Sequence, residues 1–298
     1  MQKAQPPFTN HTGIAFLLLT PSLLILSVFL YYPTIQTFFL SLYQVGFLGL
    51  KKKFTGMGNY LTIFSEAHYA HVFSNTLIFV TATVFLSMAV GMSLALLANQ
   101  KVKGWRVYRI LLIWPYALPP AVAGVIFLFL FSSQAGIVNY FLEMIIGIQA
   151  NWLAQPSLAM TVVVLAAVWK NLGYNVVFYL AALQNLPGDV LEAALIDGAG
   201  PWERFWKITF PLLSPMTFFL LVINTIYAFF DVFPFVDLLT KGGPADGTMV
   251  IIYSLYRDGF EFFKTGLAAA QSVVLFAVVV GLTIIKFKTY GRTVHYGS

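Results

Sequence analysis

Six long apolar runs divide this sequence, and no water-soluble architecture has a use for all six. An α-helix rises 1.5 Å per residue, so about twenty apolar residues cross the hydrocarbon core of a bilayer. The runs fall at about 14–40, 72–98, 107–131, 156–183, 212–235 and 265–287. Pro33 lies inside the first and predicts a kink there. That run lacks a small-x-small cleavage site and reads as a retained span rather than a signal peptide. Only 9% of the 298 residues are charged, against 59% hydrophobic, too few charges to dress a surface facing water. The chain has no cysteine, which excludes disulfides and thiolate metal centres. The expected fold is an all-α membrane protein. A short N-terminal segment, 1–13, precedes one transmembrane domain, 14–298, with no internal repeat.

Positive charge orients the spans. The short loop between the second and third runs carries Lys101, Lys103, Arg106 and Arg109. With six crossings it shares a side with Lys3, with Arg204 and Lys207, and with Lys286, Lys288 and Arg292. That side holds ten of the seventeen Lys and Arg residues, against six opposite and Lys170 within a span. The "LKKKF" stretch at Lys51–Lys53 opposes the bias, but short loops weigh most. Both termini and the 184–211 segment are therefore expected in the cytoplasm. The loops after spans one, three and five then face outward, and the last two contain amphipathic pieces suited to the membrane interface. In that setting the net charge of +6 reports topology, not affinity for nucleic acid.

Several chemistries have no motif here. There is no phosphate-binding G-x-x-x-x-G-K-[ST], no H-E-x-x-H and no G-x-S-x-G. His68 and His71, near Glu66, have a spacing a metal can use, but they suit an ordinary exposed loop, and no metal site is expected. No catalytic residues are assigned.

The polar segment 184–211 is the anomaly. A connector between two spans needs only a few residues, yet "LPGDVLEAALIDGAGPWERFWKITFP" reads as two short helices and a turn. Asp189 suits an N-cap with Glu192 at the capping-box position. Gly198 and Gly200 suit a left-handed stop, and Pro201 suits the first position of the second helix, where Glu203 complements the dipole. Trp202, Phe205, Trp206 and Thr209 share a face by helical spacing, with Arg204 and Lys207 elsewhere. Two uses fit such a surface: lying on lipid headgroups, or docking a cytosolic partner.

The wording of "EAALIDGAGPWERFWKITFPLLSP" resembles the EAA signature of importer-type ABC permeases. Glu192, Ala193, Ala194, Asp197, Gly198, Ala199, Ile208 and Pro211 match that signature, and Phe210 stands where Leu is more usual. The resemblance extends over nearly the whole chain. "FTGMGNYLTIF", "VWKNLGYNVVFYLAALQNLP" and "LTKGGPADGTMVIIYSLYRDGF" are similar to the carbohydrate-permease branch. "PYALPPAVAGVIFLFLF", "YAFFDVFPFVD" and "AAAQSVVL" are similar, more narrowly, to permeases of sn-glycerol-3-phosphate importers. The resemblance implies a six-span type I permease of a bacterial inner membrane, with a cytoplasmic coupling helix pair seated in an ATPase subunit. It implies a second related permease, two ATPase subunits holding ATP and Mg, and an extracytoplasmic binding protein, with no cofactor on this chain. It implies inward movement of sn-glycerol-3-phosphate or glycerophosphodiesters. The alternatives are a permease for another sugar or polyol and, in a different class, an ion-coupled secondary transporter, which predicts an inverted repeat that this sequence does not display.

Polar side chains within spans cost several kcal/mol unless they find partners. Lys170, Asn171, Tyr174 and Asn175 in span four are related by steps of three and four, as are Asn224, Tyr227 and Asp231 in span five. Gln271 and Ser272 lie in span six. A polyol phosphate needs hydroxyl partners and a positive charge or N–H donors, which makes these residues candidates for a substrate path and Lys170 the candidate for the phosphate. Lys170 also suits an ion pair with Asp231 or with a partner subunit. Pro115, Pro119 and Pro120 predict a break in span three. Ala89, Gly91, Ser93 and Ala95 in span two, with Ala268–Ala270 in span six, suit close helix packing or sliding. In the last outer loop, Gly242, Gly243 and Pro244, beside Lys241 and Asp246, suit a turn or a rim that meets a binding protein.

Overall fold

The computed structural model describes residues 12–46, 52–100 and 104–290. Lys3 and most of the N-terminal segment, Lys51, Lys101, Lys103 and Arg292 lie outside the described residues.

Four helices are long and apolar enough to cross a membrane unbroken: Phe16–Leu40, Ala67–Ala98, Pro156–Gln184 and Thr265–Thr289. They are spans one, two, four and six. Two further pairs are bent: Arg106–Ala117 with Pro120–Leu130 at 103°, and Pro201–Leu212 with Ser214–Phe230 at 67°. Counting each pair as one crossing gives six.

Proline chemistry sets the irregularities. Span three breaks at Leu118 and Pro119, both in extended geometry, because a residue before proline is pushed out of helical space; Pro120 then opens the next helix. Pro115 stays inside its helix. Ahead of Pro33 the helix widens into a π-helical turn, Ser27–Tyr31, with the Tyr32 N–H bonded to the Ser27 carbonyl. The same device recurs at Phe205–Thr209, two residues ahead of Pro211. The wider turn absorbs the missing N–H and the ring's clash with the preceding turn. The fifth run divides: Ser214–Phe230 ends at Asp231, and a separate helix, Phe233–Leu239, starts with Pro234 in its first turn.

Span four is the axis of the bundle. Val162, Val163, Ala166 and Ala167 are buried against Phe79 of span two, Ala123 and Phe127 of span three, and Phe229 of span five. Toward the other end Tyr179, Leu180 and Leu183 pack on Ala95 and Ala98 of span two and Leu213 and Leu220 of the 201–230 pair. Span one contributes nothing to this core; its apolar side chains are exposed along most of its length. Arg109 closes the C-terminal end of span two, its Nη2 and Nε donating to the Ala98 carbonyl at 2.8 and 3.1 Å.

One element departs from an all-helical reading. Strands β1 (Tyr43–Val45) and β2 (Lys52–Phe54) pair antiparallel in the connector between spans one and two, with Gln44 opposite Lys53.

Candidate functional site

The 184–211 segment folds as a helical corner. Its first helix, Gly188–Ile196, ends in a Schellman motif: the Gly198 N–H donates to the Leu195 carbonyl at 3.1 Å, and the Ala199 N–H to Ala194 at 3.0 Å. Gly198 has φ +77°, a conformation glycine tolerates and side chains resist. Three sequence expectations need correction. Asp189 is not the N-cap, because the helix starts one residue earlier, with Pro187 at the cap and no side chain capping it. Gly200 is not left-handed; at φ −64° and ψ 162° it is the extended residue ahead of Pro201. The aromatic face runs through Trp202, Trp206 and Phe210, with ring centroids 5.7 and 5.2 Å apart in turn, and Phe205 joins it as expected, 5.0 Å from Trp206 and 6.1 Å from Phe210. Phe210 replaces Thr209 there because the π turn inserts an extra residue.

Glu203 accepts a hydrogen bond from Lys207 Nζ at 2.6 Å on this second helix. A concavity between the two helices is lined by Ala194, Asp197, Gly198 and Ala199 from the first helix and its turn, and by Glu203, Lys207 and Ile208 from the second. Glu192, Ala193 and Pro211 are exposed beside it. Trp202 is 75% exposed and Ile196 87%, so the corner presents apolar side chains outward around an ion pair. That surface can grip a partner, and its hydrogen-bonded turn can carry load into span five.

The polar residues within the spans separate into three groups. Asn171 and Asn175 of span four meet Asn224 of span five. Asn224 Oδ1 accepts from Asn171 Nδ2 at 2.5 Å and from Asn175 Nδ2 at 3.0 Å. Asn224 Nδ2 donates to Asn175 Oδ1 and to the Leu220 carbonyl, both at 2.8 Å. All three side chains are buried. Span two closes on them through Gly91, where an added Cβ would stand 2.5 Å from the Asn175 Cβ.

The second group faces the break in span three. Lys170 Nζ sits 4.6 Å over the Tyr116 ring, and Tyr116 lies 5.4 Å from Tyr174. Asp231 is within electrostatic range of Lys170 without a contact ion pair between them. Tyr227 donates from its hydroxyl to the Ala167 carbonyl at 3.1 Å, tying span five to span four. Lys170 is nearly buried while Tyr116 is 43% exposed, so cation and ring together form a partly open wall.

The third group lies apart. Gln271 Nε2 donates to Asp258 Oδ2 at 2.6 Å, and the Tyr69 hydroxyl donates to the same oxygen at 2.9 Å. Asp258 belongs to the connector between spans five and six, so Gln271 clamps that connector to span six instead of joining the asparagines. Ser272 donates to the Ala268 carbonyl of its own helix at 3.0 Å. The neighbouring 240–250 loop is sewn together by Thr240, Gly243 and Thr248, and Asn75 of span two donates to the Asp246 carbonyl at 2.8 Å. His68 pairs with Asp246 at 3.2 Å, and no cluster of metal ligands forms among the described residues.

Sequence reasoning missed two partners. Lys286, counted only as a topological charge, reaches back into the bundle, where its Nζ donates to Thr225 Oγ1 and, at 3.3 Å, to the Leu221 carbonyl. Tyr69 and Asp258, remote in sequence, meet because span two begins at Ala67, a turn earlier than expected.

The class follows from this architecture and from comparison with known proteins. Residues 86–287 match the family described as "binding-protein-dependent transport system inner membrane component", and the chain belongs to it. It is an inner-membrane permease of the ABC importer type. At 44% identity over 284 residues, covering 95% of this chain and 97% of the relative, it is similar to the sn-glycerol-3-phosphate transport system permease protein UgpA of Rhizobium meliloti. The UgpA of Yersinia enterocolitica is 41% identical over 99% of this chain and 100% of its own length. That of Brucella abortus is 42% identical over the same shares. The fold is shared with a bacterial alginate ABC transporter solved in complex with an alginate pentasaccharide-bound periplasmic protein, with TM-score 0.83 and 22% identity over 97% of each chain.

Proposed function

We propose that this chain is one permease subunit of an importer that moves sn-glycerol-3-phosphate or glycerophosphodiesters into the cell, driven by ATP hydrolysis in separate subunits. The Gly198 corner is the observation that carries the reading. A load-bearing turn with an exposed apolar surface, joined at 67° to a span, is what an external motor needs. The near full-length likeness to UgpA proteins from three genera supports the substrate.

On this reading the corner and both termini face the cytoplasm. Two ATPase subunits bind ATP and Mg; this chain has no phosphate-binding loop of its own. A second, related permease completes the pathway, and an extracytoplasmic binding protein delivers substrate. Closure of the ATPase pair moves the corner, and the bundle passes between inward-open and outward-open packings, a two-state element biased by nucleotide. Lys170, Tyr174 and Tyr116 supply a cation and hydroxyls suited to a phosphate ester. The asparagine cluster holds spans four and five together behind them.

The test is uptake of radiolabelled sn-glycerol-3-phosphate by the reconstituted complex, with and without internal ATP. ATP-dependent uptake that unlabelled sn-glycerol-3-phosphate competes away and maltose does not is the expected result. Competition by maltose alone would reassign the substrate to another sugar. Uptake driven by an ion gradient without ATP would overturn the mechanism.

A further inference from the structure

The helix Ile137–Ile146 joins the outer ends of spans three and four and carries a single charge, Glu143. At about 100° per residue, Ile137, Tyr140, Phe141, Met144 and Ile145 occupy an arc of roughly 140°. This face points away from the protein: Met144 is 67% exposed and Ile145 73%. The less exposed side is formed by Val138, Asn139 and Leu142 and carries the polar anchor, while Ile146 at the helix end is 56% exposed. Asn139, 5% exposed, donates from Nδ2 to the Ala150 carbonyl at 2.9 Å, and its Oδ1 accepts from Trp152 Nε1 at 2.8 Å. A helix packed between a protein and water has the reverse polarity, apolar in and polar out.

Three observations choose among the surfaces that could cover this face. Phe129, in the last turn of span three ahead of this helix, is itself 71% exposed, so apolar exposure is already present where the bundle leads into the helix. Of the side chains enriched at protein docking hot spots, the arc contains no Arg or Trp and one Tyr, Tyr140, whose amphipathic ring is also at home at the membrane–water interface. Its one charge lies on the flank, where Gln149 Nε2 donates to Glu143 Oε2 at 2.8 Å; that polar pair belongs in headgroups or water and limits how deep the helix sinks. The chain then stops at Gly147, φ +69°, and returns to the bundle with Trp152 edge-on to Phe131 at 5.3 Å.

We propose that Ile137–Ile146 is an in-plane anchor in the outer leaflet. Its apolar face rests among acyl chains at the headgroup boundary, and the Asn139 contacts hold the connector between spans three and four at that depth. The outer-leaflet placement rests on the orientation proposed above, with both termini in the cytoplasm, and it stands apart from the substrate assigned there.

The absence of cysteine in the sequence permits a direct test. Phe141→Cys, Ile145→Cys and Glu143→Cys are each labelled with a nitroxide in the full complex reconstituted into phosphatidylethanolamine/phosphatidylglycerol liposomes. The unsubstituted complex supplies the blank. Spin relaxation is compared between oxygen, which partitions into lipid, and a water-soluble nickel chelate. Labels at 141 and 145 should relax several-fold more with oxygen than with nickel, and the label at 143 should show the opposite order. Nickel access at 145 equal to that at 143 would place the face in water and overturn the proposal. An immobilised label at 145, shielded from both reagents, would mean a protein covers the face and would overturn it equally.

Discussion

Replacing Asn224 by alanine should loosen the bundle more than any exposed substitution in span five. Asn224 makes three hydrogen bonds across to span four, one with Asn171 and two with Asn175. Interhelical hydrogen bonds in membranes average about 0.6 kcal/mol each, so the three together contribute about 2 kcal/mol. Truncation also strands Asn171 Nδ2 and Asn175 Oδ1 in a buried site, and an orphaned polar group costs about 1–3 kcal/mol. Partial relaxation of the neighbours brings the expected total to about 3 kcal/mol, roughly a hundredfold in the folding equilibrium. The measurement is reversible unfolding of the purified chain in mixed micelles, titrated with a denaturing detergent. A double-mutant cycle with Asn175→Ala should return a coupling of about 1 kcal/mol, because the two residues share two bonds. A loss below about 0.5 kcal/mol for Asn224→Ala, with strict additivity in the cycle, would refute the hydrogen-bonded cluster as a source of stability.

Other substitutions probe other parts of the chain. Gly198→Pro cannot adopt φ +77° and removes the N–H that bonds Leu195, so ATP-driven uptake should fall at least about tenfold while the chain remains in the membrane; unchanged uptake would remove the corner from the coupling mechanism. Lys170→Ala should raise the half-saturating concentration of sn-glycerol-3-phosphate while leaving subunit co-purification intact; collapse of co-purification would instead give Lys170 a structural role. Gly91→Val should destabilise the chain by about 1–3 kcal/mol in the same micelle assay, as overpacking does. Its clash is with the Asn175 Cβ, so Asn175→Gly should relieve it and Asn175→Ala should not.

The sequence disclosed most where physics demands a local signal. A bilayer requires a minimum apolar length, and the runs at 72–98, 156–183 and 265–287 correspond to unbroken helices within a few residues. The corner was legible because Gly198 and Pro201 have one comfortable position each around a helix end. The π turns were not, since they shift register by one residue without a composition of their own, and so Phe210 displaced Thr209. The intramembrane polar residues were visible, but their partners were not. Lys170 with Tyr174, and Asn171 with Asn175, form two parallel i,i+4 rows rather than one face. Helix rotation decides which row meets span five and which meets Tyr116, and rotation is a tertiary property. For Lys286 the apolar run hid the fact that its amine turns inward to span five.

The 67° angle between Pro201–Leu212 and Ser214–Phe230 makes the segment a bell crank. A thrust along the short arm has only a small component along the long one, so it arrives chiefly as torque. The pivot at Leu213 keeps its backbone bonds, the Leu213 N–H to the Thr209 carbonyl at 3.0 Å and the Thr217 N–H to the Leu213 carbonyl at 2.8 Å, and so resists yielding. A modest sideways step imposed on the short arm would therefore swing the far end of the long arm, where Asp231 sits, through a larger distance.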